Sequence, residues 1–365
     1  MVEPMIRDLS PPGEILEEAL AERSMTQAEF ARRASLSAKH VSQIVSGKAS
    51  LTTEVALAFE RVLSIPASFW VQLEFNHQSE IQRREESEGL NRLAGWIAQF
   101  PFRQMSERGW LAPIKRGDVA GAARALFGYF GVADQAALDR KCQEVPARLR
   151  ASSRFKLQRA SLCAWLRAGE REASRFSLAD YDKRAFESAL ARIRSNASNI
   201  GHLRSEATRT ELASTGVALV FVPPLPKLPV SGATKWMTPD RALIVMSMRH
   251  RSDDHLWFTF FHEACHVLRH SSKSVFVDQD DGPAPDDLEK EADAFARDIL
   301  ISPLQHRELV AELGASWDLA VVRRFAAKIG VCSGVVIGRL QHDRILPYNV
   351  GNKLKLRVDF APTDT

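Results

Sequence analysis

The sequence predicts a mainly α-helical fold with one small β-sheet (α+β). Apolar residues recur at helical spacing along most of the 365 residues. The runs with strand character, Val217-Ala-Leu-Val-Phe-Val222 and Ala242-Leu-Ile-Val-Met246, are confined to the stretch after Gly216. Helical patterns then return at 252–270, 286–301, 303–313 and 317–328. With 45% hydrophobic and 26% charged residues, the composition is that of an ordinary globular chain, which excludes global disorder and collagen-like structure. At ~150 residues per domain, the length allows two or three domains. No apolar run approaches the ~18 residues a membrane span needs. Met1–Glu14 carries Glu3 and Asp8 without an apolar stretch, so it does not read as a signal peptide. Cys142, Cys163, Cys265 and Cys332 are scattered, with no CxxC pair, which argues for a reducing, cytoplasmic setting and against a disulfide framework.

Short helices broken by turns fill residues 14–75. Pro11-Pro12-Gly13 precedes the periodic run Ile15, Leu16, Leu20. Thr26 starts a second helix, with Glu29 completing a capping box. Ser37 caps a third, which Gly47 ends. Thr52 or Thr53 starts a fourth, and Pro66 sits where a first-turn proline would open a fifth. Residues 76–110 look like a charged helical connector, and 111–210 hold helical patterns heavy in Arg and Ala. The expected division is therefore 1–75, a basic helical middle 76–210, a mixed domain 211–345 and a tail 346–365. The net charge of +4 is unevenly spread. Residues 81–210 carry 24 Lys and Arg against 14 Asp and Glu, whereas residues 1–80 carry 7 against 11. A basic stretch can mark an anionic partner or simply a solvated helical face.

The spacing within 26–47 suits two short helices that cross closely. Ala31 is small enough for the crossing, and Phe30, Leu36, Val41 and Ile44 can fill the core between them. The second helix would project Lys39, His40, Ser42 and Gln43 outward, where such groups reach base edges in the major groove. Arg32, Arg33 and Lys48 flank it as phosphate contacts. A small helical bundle with polar outer faces is the alternative. Pro12-Gly13-Glu14-Ile15-Leu16, Thr26 to Ala31, Ser37 to Gly47 and Pro66-Ala67-Ser68-Phe69-Trp70 resemble the Xre-type helix-turn-helix of HigA-group addiction-module antitoxins. The resemblance implies binding to a double-stranded DNA operator. Ser35 stands where a glycine is common in the turn. Because the segment is net acidic, firm binding calls for a homodimer or help from the basic middle.

Residues 262–266 read His-Glu-Ala-Cys-His. On a helix, His262 and His266 lie one turn apart and can present imidazole nitrogens to one Zn²⁺, with Glu263 placed to take a proton from a water. The flanking runs, Leu256 to Phe261 and Val267-Leu268, would bury one side of that helix. A third ligand is needed, and Glu289 and Asp293, four apart on the next acidic helix, suit a carboxylate ligand and a side chain that holds a ligating histidine in its tautomer. Ala292 and Ala296 leave room for that helix to approach. Glu291 is the second candidate ligand. His270 reads as a helix-end histidine or a further ligand, Cys265 as a small buried filler or a redox-sensitive thiol, and Asp278–Asp281 as a solvated acidic loop.

The segment Asp253 to His266, Glu289 to Ala296 with Ile299-Leu300-Ile301-Ser302-Pro303, and Val335 to Gln341 resemble the ImmA/IrrE metallopeptidases over about residues 210–357. The resemblance implies a gluzincin-like fold, ligands at His262, His266 and Glu289, a general base at Glu263, and proteolysis of a DNA-binding repressor in stress or mobile-element control. The cofactor expected is Zn²⁺, with Mn²⁺ as an in vitro substitute. His342, Arg339 and Tyr348 are candidate oxyanion donors, and Val230 to Trp236 a candidate edge strand for a substrate peptide. Three readings compete. One is a DNA-binding zinc endopeptidase that cleaves a repressor or antitoxin-type protein. Another is a repressor or antitoxin whose zinc domain is a sensor or structural module without proteolysis. The third is a protease domain whose helix-turn-helix only mediates dimerisation or substrate capture.

Overall fold

The computed structural model describes residues 11–143, 153–270, 276–279, 287–314 and 317–359. They form two compact units. One holds the chain up to Ala94 together with Gly117–Ala120, and the other holds the remainder.

The first unit is a bundle of five helices: α1 (Pro12–Glu22), α2 (Gln27–Arg33), α3 (Ala38–Val45), α4 (Thr53–Leu63) and α5 (Ala67–Asn91). Its starts are the ones the capping chemistry predicts. Thr26, Ser37 and Thr52 each accept a hydrogen bond from the backbone N–H three residues on, satisfying a donor that the first turn leaves orphaned. Leu16, Phe30, Val41, Ile44, Phe59 and Trp70 fill the core. Phe59 meets both Phe30 and Trp70 edge-on. Gly13 lies where α1 crosses α3, and a Cβ there would come within 2.7 Å of the Ile44 carbonyl oxygen. Helix α5 runs without a break through position 75, so the expected connector begins as its continuation.

The second unit contains α6 (Ala94–Ile97) from Gly95 on, α7 (Phe102–Glu107), α8 (Val119–Phe130) from Gly121 on, α9 (Gln135–Gln143), α10 (Ser153–Ala173), α11 (Lys183–Ser195) and α12 (Glu206–Ala213). Four strands follow or interleave: β1 (Val217–Phe221), β2 (Val230–Thr238), β3 (Arg241–Met246) and β4 (Phe276–Gln279). The last helices are α13 (Asp253–Arg269), α14 (Asp287–Leu300), α15 (Pro303–Leu313), α16 (Leu319–Ile329) and α17 (Ser333–His342). The sheet order is β1-β3-β2-β4, with β1 parallel to β3 and the other pairs antiparallel.

Both faces of the sheet are covered. Val217, Leu219, Ala242, Ile244 and Met246 join the core beneath α13. On the opposite face α10 packs on β1 and β3. There a Cβ on Gly169 would come within 2.6 Å of the Val245 side chain, and the buried Trp165 donates to the Val222 carbonyl at 2.8 Å.

Two expectations change. Strand β2 is interior, hydrogen-bonded to β3 and β4 on its two sides, so it cannot receive a peptide; the short β4, which the sequence reading passed over, takes the edge. Cys142 and Cys163 pair as a disulfide joining α9 to α10, because the packing of those helices closes a 21-residue separation that looked like scatter. The basic middle, for which the sequence left open an anionic partner or a solvated face, contributes α10 as one covering layer of the sheet. Of the expected acidic loop, residues 280 and 281 lie outside the described residues. Among the described residues, no helix is long and apolar enough to cross a membrane.

Candidate metal centre

Helix α13 is almost wholly buried, which its sequence explains. Trp257, Phe260, Phe261 and Ala264 face the core, while His262, Glu263 and His266 are 2%, 0% and 1% exposed. Helix α14 lies against it, with Ala292 and Ala296 fully buried at the contact, the small residues that a close approach requires. Glu289 and Asp293 both reach His262. Its Nε2 is 3.1 Å from Glu289 Oε2 and its Nδ1 is 3.0 Å from Asp293 Oδ1. Nε2 of His266 lies 3.1 Å from Nε2 of His262 and 3.7 Å from Glu289 Oε2. All three candidate ligand atoms fall within 4.8 Å of one another.

His266 is held from behind. Its Nδ1 is 2.7 Å from Nδ1 of His270, and Nε2 of His270 is 3.3 Å from Glu291 Oε2. One assignment of protons satisfies both chains. In it, Nδ1–H of His262 donates to Asp293, Nδ1–H of His266 donates to His270, and Nε2–H of His270 donates to Glu291. Both Nε2 lone pairs then point at each other and at a carboxylate oxygen, an arrangement that calls for a cation between them. A tetrahedral zinc with bonds near 2.0–2.1 Å separates its ligands by about 3.3 Å, close to the spacing found. The donor set therefore fits a divalent metal. Burial and neighbouring charge act on these groups in opposite ways. Burial pushes Glu289 up, but hydrogen bonds with His262 and His266 outweigh it and hold the carboxyl far below its ordinary value. Burial keeps His266 below the usual imidazole range, favouring the neutral, ligating form.

Glu291 sits with Arg269 and His270, outside the cluster. The second candidate ligand thus faces the end of α13, not the His262–His266–Glu289 cluster. Cys265 is fully buried, and burial pushes its thiol up to about 12, which keeps it protonated. Glu263 is clasped by β2: Thr234 Oγ1 lies 2.6 Å from its Oε2 and 3.0 Å from its carbonyl. Gly232 lies opposite, and a Cβ there would come within 2.7 Å of Glu263 Oε1. Neither is legible in the sequence, where the signal is a small residue and a hydroxyl two apart on a strand. Phe276 of β4 stacks on the His266 ring with centroids 4.1 Å apart. The three candidate oxyanion donors, Arg339, His342 and Tyr348, line a separate cavity beside α13 rather than the cluster itself.

In the first unit, Arg32, Lys39, Ser42 and Lys48 are exposed, and His40 and Gln43 half-buried. Lys39, His40, Ser42 and Gln43 lie on α3, with Arg32 at the end of α2 and Lys48 in the turn that follows α3. Ser35, in the turn between these helices, has φ +57°, the left-handed region that explains a preference for glycine there.

The comparisons with known proteins match two separate stretches of the chain. Residues 16–70 match the helix-turn-helix family, and residues 219–341 match the family described as the IrrE N-terminal-like domain. An uncharacterized HTH-type transcriptional regulator, YddM of Escherichia coli K12, is 28% identical over 88 residues, covering 24% of this chain and 92% of that protein. An addiction module antidote protein of the HigA family from Coxiella burnetii is 22% identical, covers 24% of this chain and 95% of its own, and has a TM-score of 0.22. This chain thus carries an N-terminal helix-turn-helix domain and a C-terminal metallopeptidase-like domain of the IrrE type.

Proposed function

We propose that this chain is a cytoplasmic, DNA-binding, zinc-dependent endopeptidase that regulates transcription by cleaving a repressor or antitoxin-type protein. The convergence of His262, His266 and Glu289 beside a buried Glu263 carries this reading. These three side chains hold the metal, with Zn²⁺ the resident ion and Mn²⁺ a substitute in vitro. When bound, the ion supplies an electrophile for a peptide carbonyl and acidifies a water. Asp293 fixes the His262 tautomer. Thr234 fixes the Glu263 carboxylate, which accepts the proton of the attacking water and passes it to the leaving amine. The substrate peptide adds to the outer edge of β4, the strand that ends the sheet on this side. Lys39, His40, Ser42 and Gln43 read the operator, Arg32 and Lys48 grip phosphates, and two copies of the chain bind as a homodimer.

The test is incubation of the full chain with Zn²⁺ or Mn²⁺ and the repressor encoded next to it. Glu263→Gln should retain metal and thermal stability but lose cleavage by 10²-fold or more, the usual scale of general-base catalysis. Equal cleavage by wild type and variant would remove Glu263 from the reaction. Full metal loading without cleavage by wild type would favour the sensor reading.

A further inference from the structure

Beside the metal centre lies a cavity of about 280 Å³ to which the chemistry above assigns no role. Phe258 and Thr259 of α13 line it, one turn before His262 and Glu263, so its wall begins about 5–6 Å along the helix from the cluster. The Phe258 ring is centred 6.1 Å from the His262 ring. Helix α14, which carries Glu289 and Asp293, continues into the cavity with Arg297 and Leu300. Helix α17 closes the far side with Val335 and Arg339. The cavity therefore lies where the two motif helices lead away from the metal.

Its chemistry is uneven. The walls are largely apolar, but three permanent cations (Arg297, Arg339 and Lys355) line it against one carboxylate, Asp254. That carboxylate is already engaged, 2.6 Å from Lys355 Nζ and 2.6 Å from Ser252 Oγ. Arg339 uses Nε on Asp343 at 2.6 Å, while its Nη1 reaches the Arg297 carbonyl only at 3.5 Å. Arg297 faces Asp298 at 3.7 Å, beyond hydrogen-bond range. A guanidinium carries five N–H donors, so both arginines keep capacity for a planar acceptor. Largely apolar walls with two guanidinium groups among them fit a short methylene stem that ends in a carboxylate.

We propose that this cavity is the specificity pocket of the endopeptidase and takes a glutamate side chain of the substrate next to the scissile bond. The proposal rests on the endopeptidase reading for the origin of the ligand, and its test separates the two. The full-length chain, loaded with Zn²⁺, is given internally quenched peptides that differ only in Glu, Gln, Leu or Lys at each position flanking the cleaved bond. At one flanking position, Glu should exceed the isosteric Gln in kcat/KM by about tenfold or more, the factor one charge-assisted pair supplies. The ratio should collapse toward one in Arg297→Gln, and Arg297→Glu should turn the preference toward Lys, an outcome that a merely misfolded variant cannot give. In parallel, anisotropy of the same peptides, labelled, on Glu263→Gln reads binding without turnover. Cleavage without any Glu preference, a Glu preference unchanged in both Arg297 variants, or a preference only for a peptide's terminal carboxylate would overturn the pocket assignment and leave the protease reading standing. Selective binding of Glu peptides that depends on Arg297, with no cleavage by wild type, would uphold the pocket and overturn the protease reading. If neither binding nor cleavage discriminates, the pocket assignment is wrong.

Discussion

A single helical turn supplies three of the polar side chains of the candidate metal centre, and His262, Glu263 and His266 each have a partner that fixes their direction. His262 answers to Asp293, Glu263 to Thr234, and His266 to His270 with Glu291 behind it. The first of these was legible in the sequence, because Glu289 and Asp293 are four apart on one helix face. The second was not, because β2 lies far from α13 in sequence and only the tertiary fold brings Thr234 beneath the base. The third was half legible. His270 was visible as a histidine one turn beyond His266, but its role depends on Glu291 reaching across from α14. Partners that orient a ligating imidazole are commonly worth 10–100-fold in metal affinity. His270→Ala should therefore weaken Zn²⁺ binding by about 10-fold or more, read by competition with a chromogenic chelator. Glu291→Gln, which keeps an acceptor for His270, should have a smaller effect. Unchanged affinity in His270→Ala would leave the histidine as a helix end and nothing more.

Among the elements, helix starts were the most legible feature, since capping is local chemistry: a hydroxyl or carboxylate and the N–H two or three residues on suffice. Neighbours in the sheet were the least legible. Nothing in Val230–Trp236 says which strands flank it, and the alternation expected of a half-solvated edge strand is a weak signal in a run that is buried on both faces. The packing role of the middle region was not legible because charge dominates its composition, while the residues that make its contacts are few. Arg194 of α11 illustrates this, donating to the carbonyls of Ile299 and Leu300 at the end of α14 and of Ile329 and Gly330 at the end of α16. The start of α13 is held just as tightly. Asp253 accepts from the Leu356 N–H at 3.0 Å and sits against Gly334 near the start of α17. Burial, with Asp254 adding to it against the Leu356 hydrogen bond, raises its carboxyl from 3.8 to about 6. A folded value above the unfolded one means that the native state holds the extra proton in between. The stability this proton contributes is complete below about pH 4 and is lost as pH rises through 6. Urea titrations should show wild type gaining about 1–1.5 kcal/mol relative to Asp253→Asn between pH 7.5 and pH 5. A constant difference across that range would mean Asp253 is ionised throughout.

Across the whole molecule, the excess of basic charge and the helix proposed to read DNA lie in different parts of the chain. Residues 1–80, which contain α3, are net acidic, while residues 81–210 carry the excess of arginine and lysine. Salt dependence separates the possible uses of that arrangement, because each phosphate neutralised adds about −0.9 to the slope of log K against log salt. One copy gripping with Arg32 and Lys48 would give a slope of about −2, and a homodimer about −4. For the full chain on an operator duplex we expect the dimer value, with Lys48→Ala making it shallower by about 2, one phosphate lost per copy. Gln43→Ala should leave the slope alone and reduce the preference for operator over unrelated sequence, because a base-edge contact releases no counterion. A slope steeper than about −8 that Lys48→Ala does not change would transfer the phosphate grip from the helix-turn-helix to the basic middle. The first unit would then supply sequence preference, and residues 81–210 the affinity.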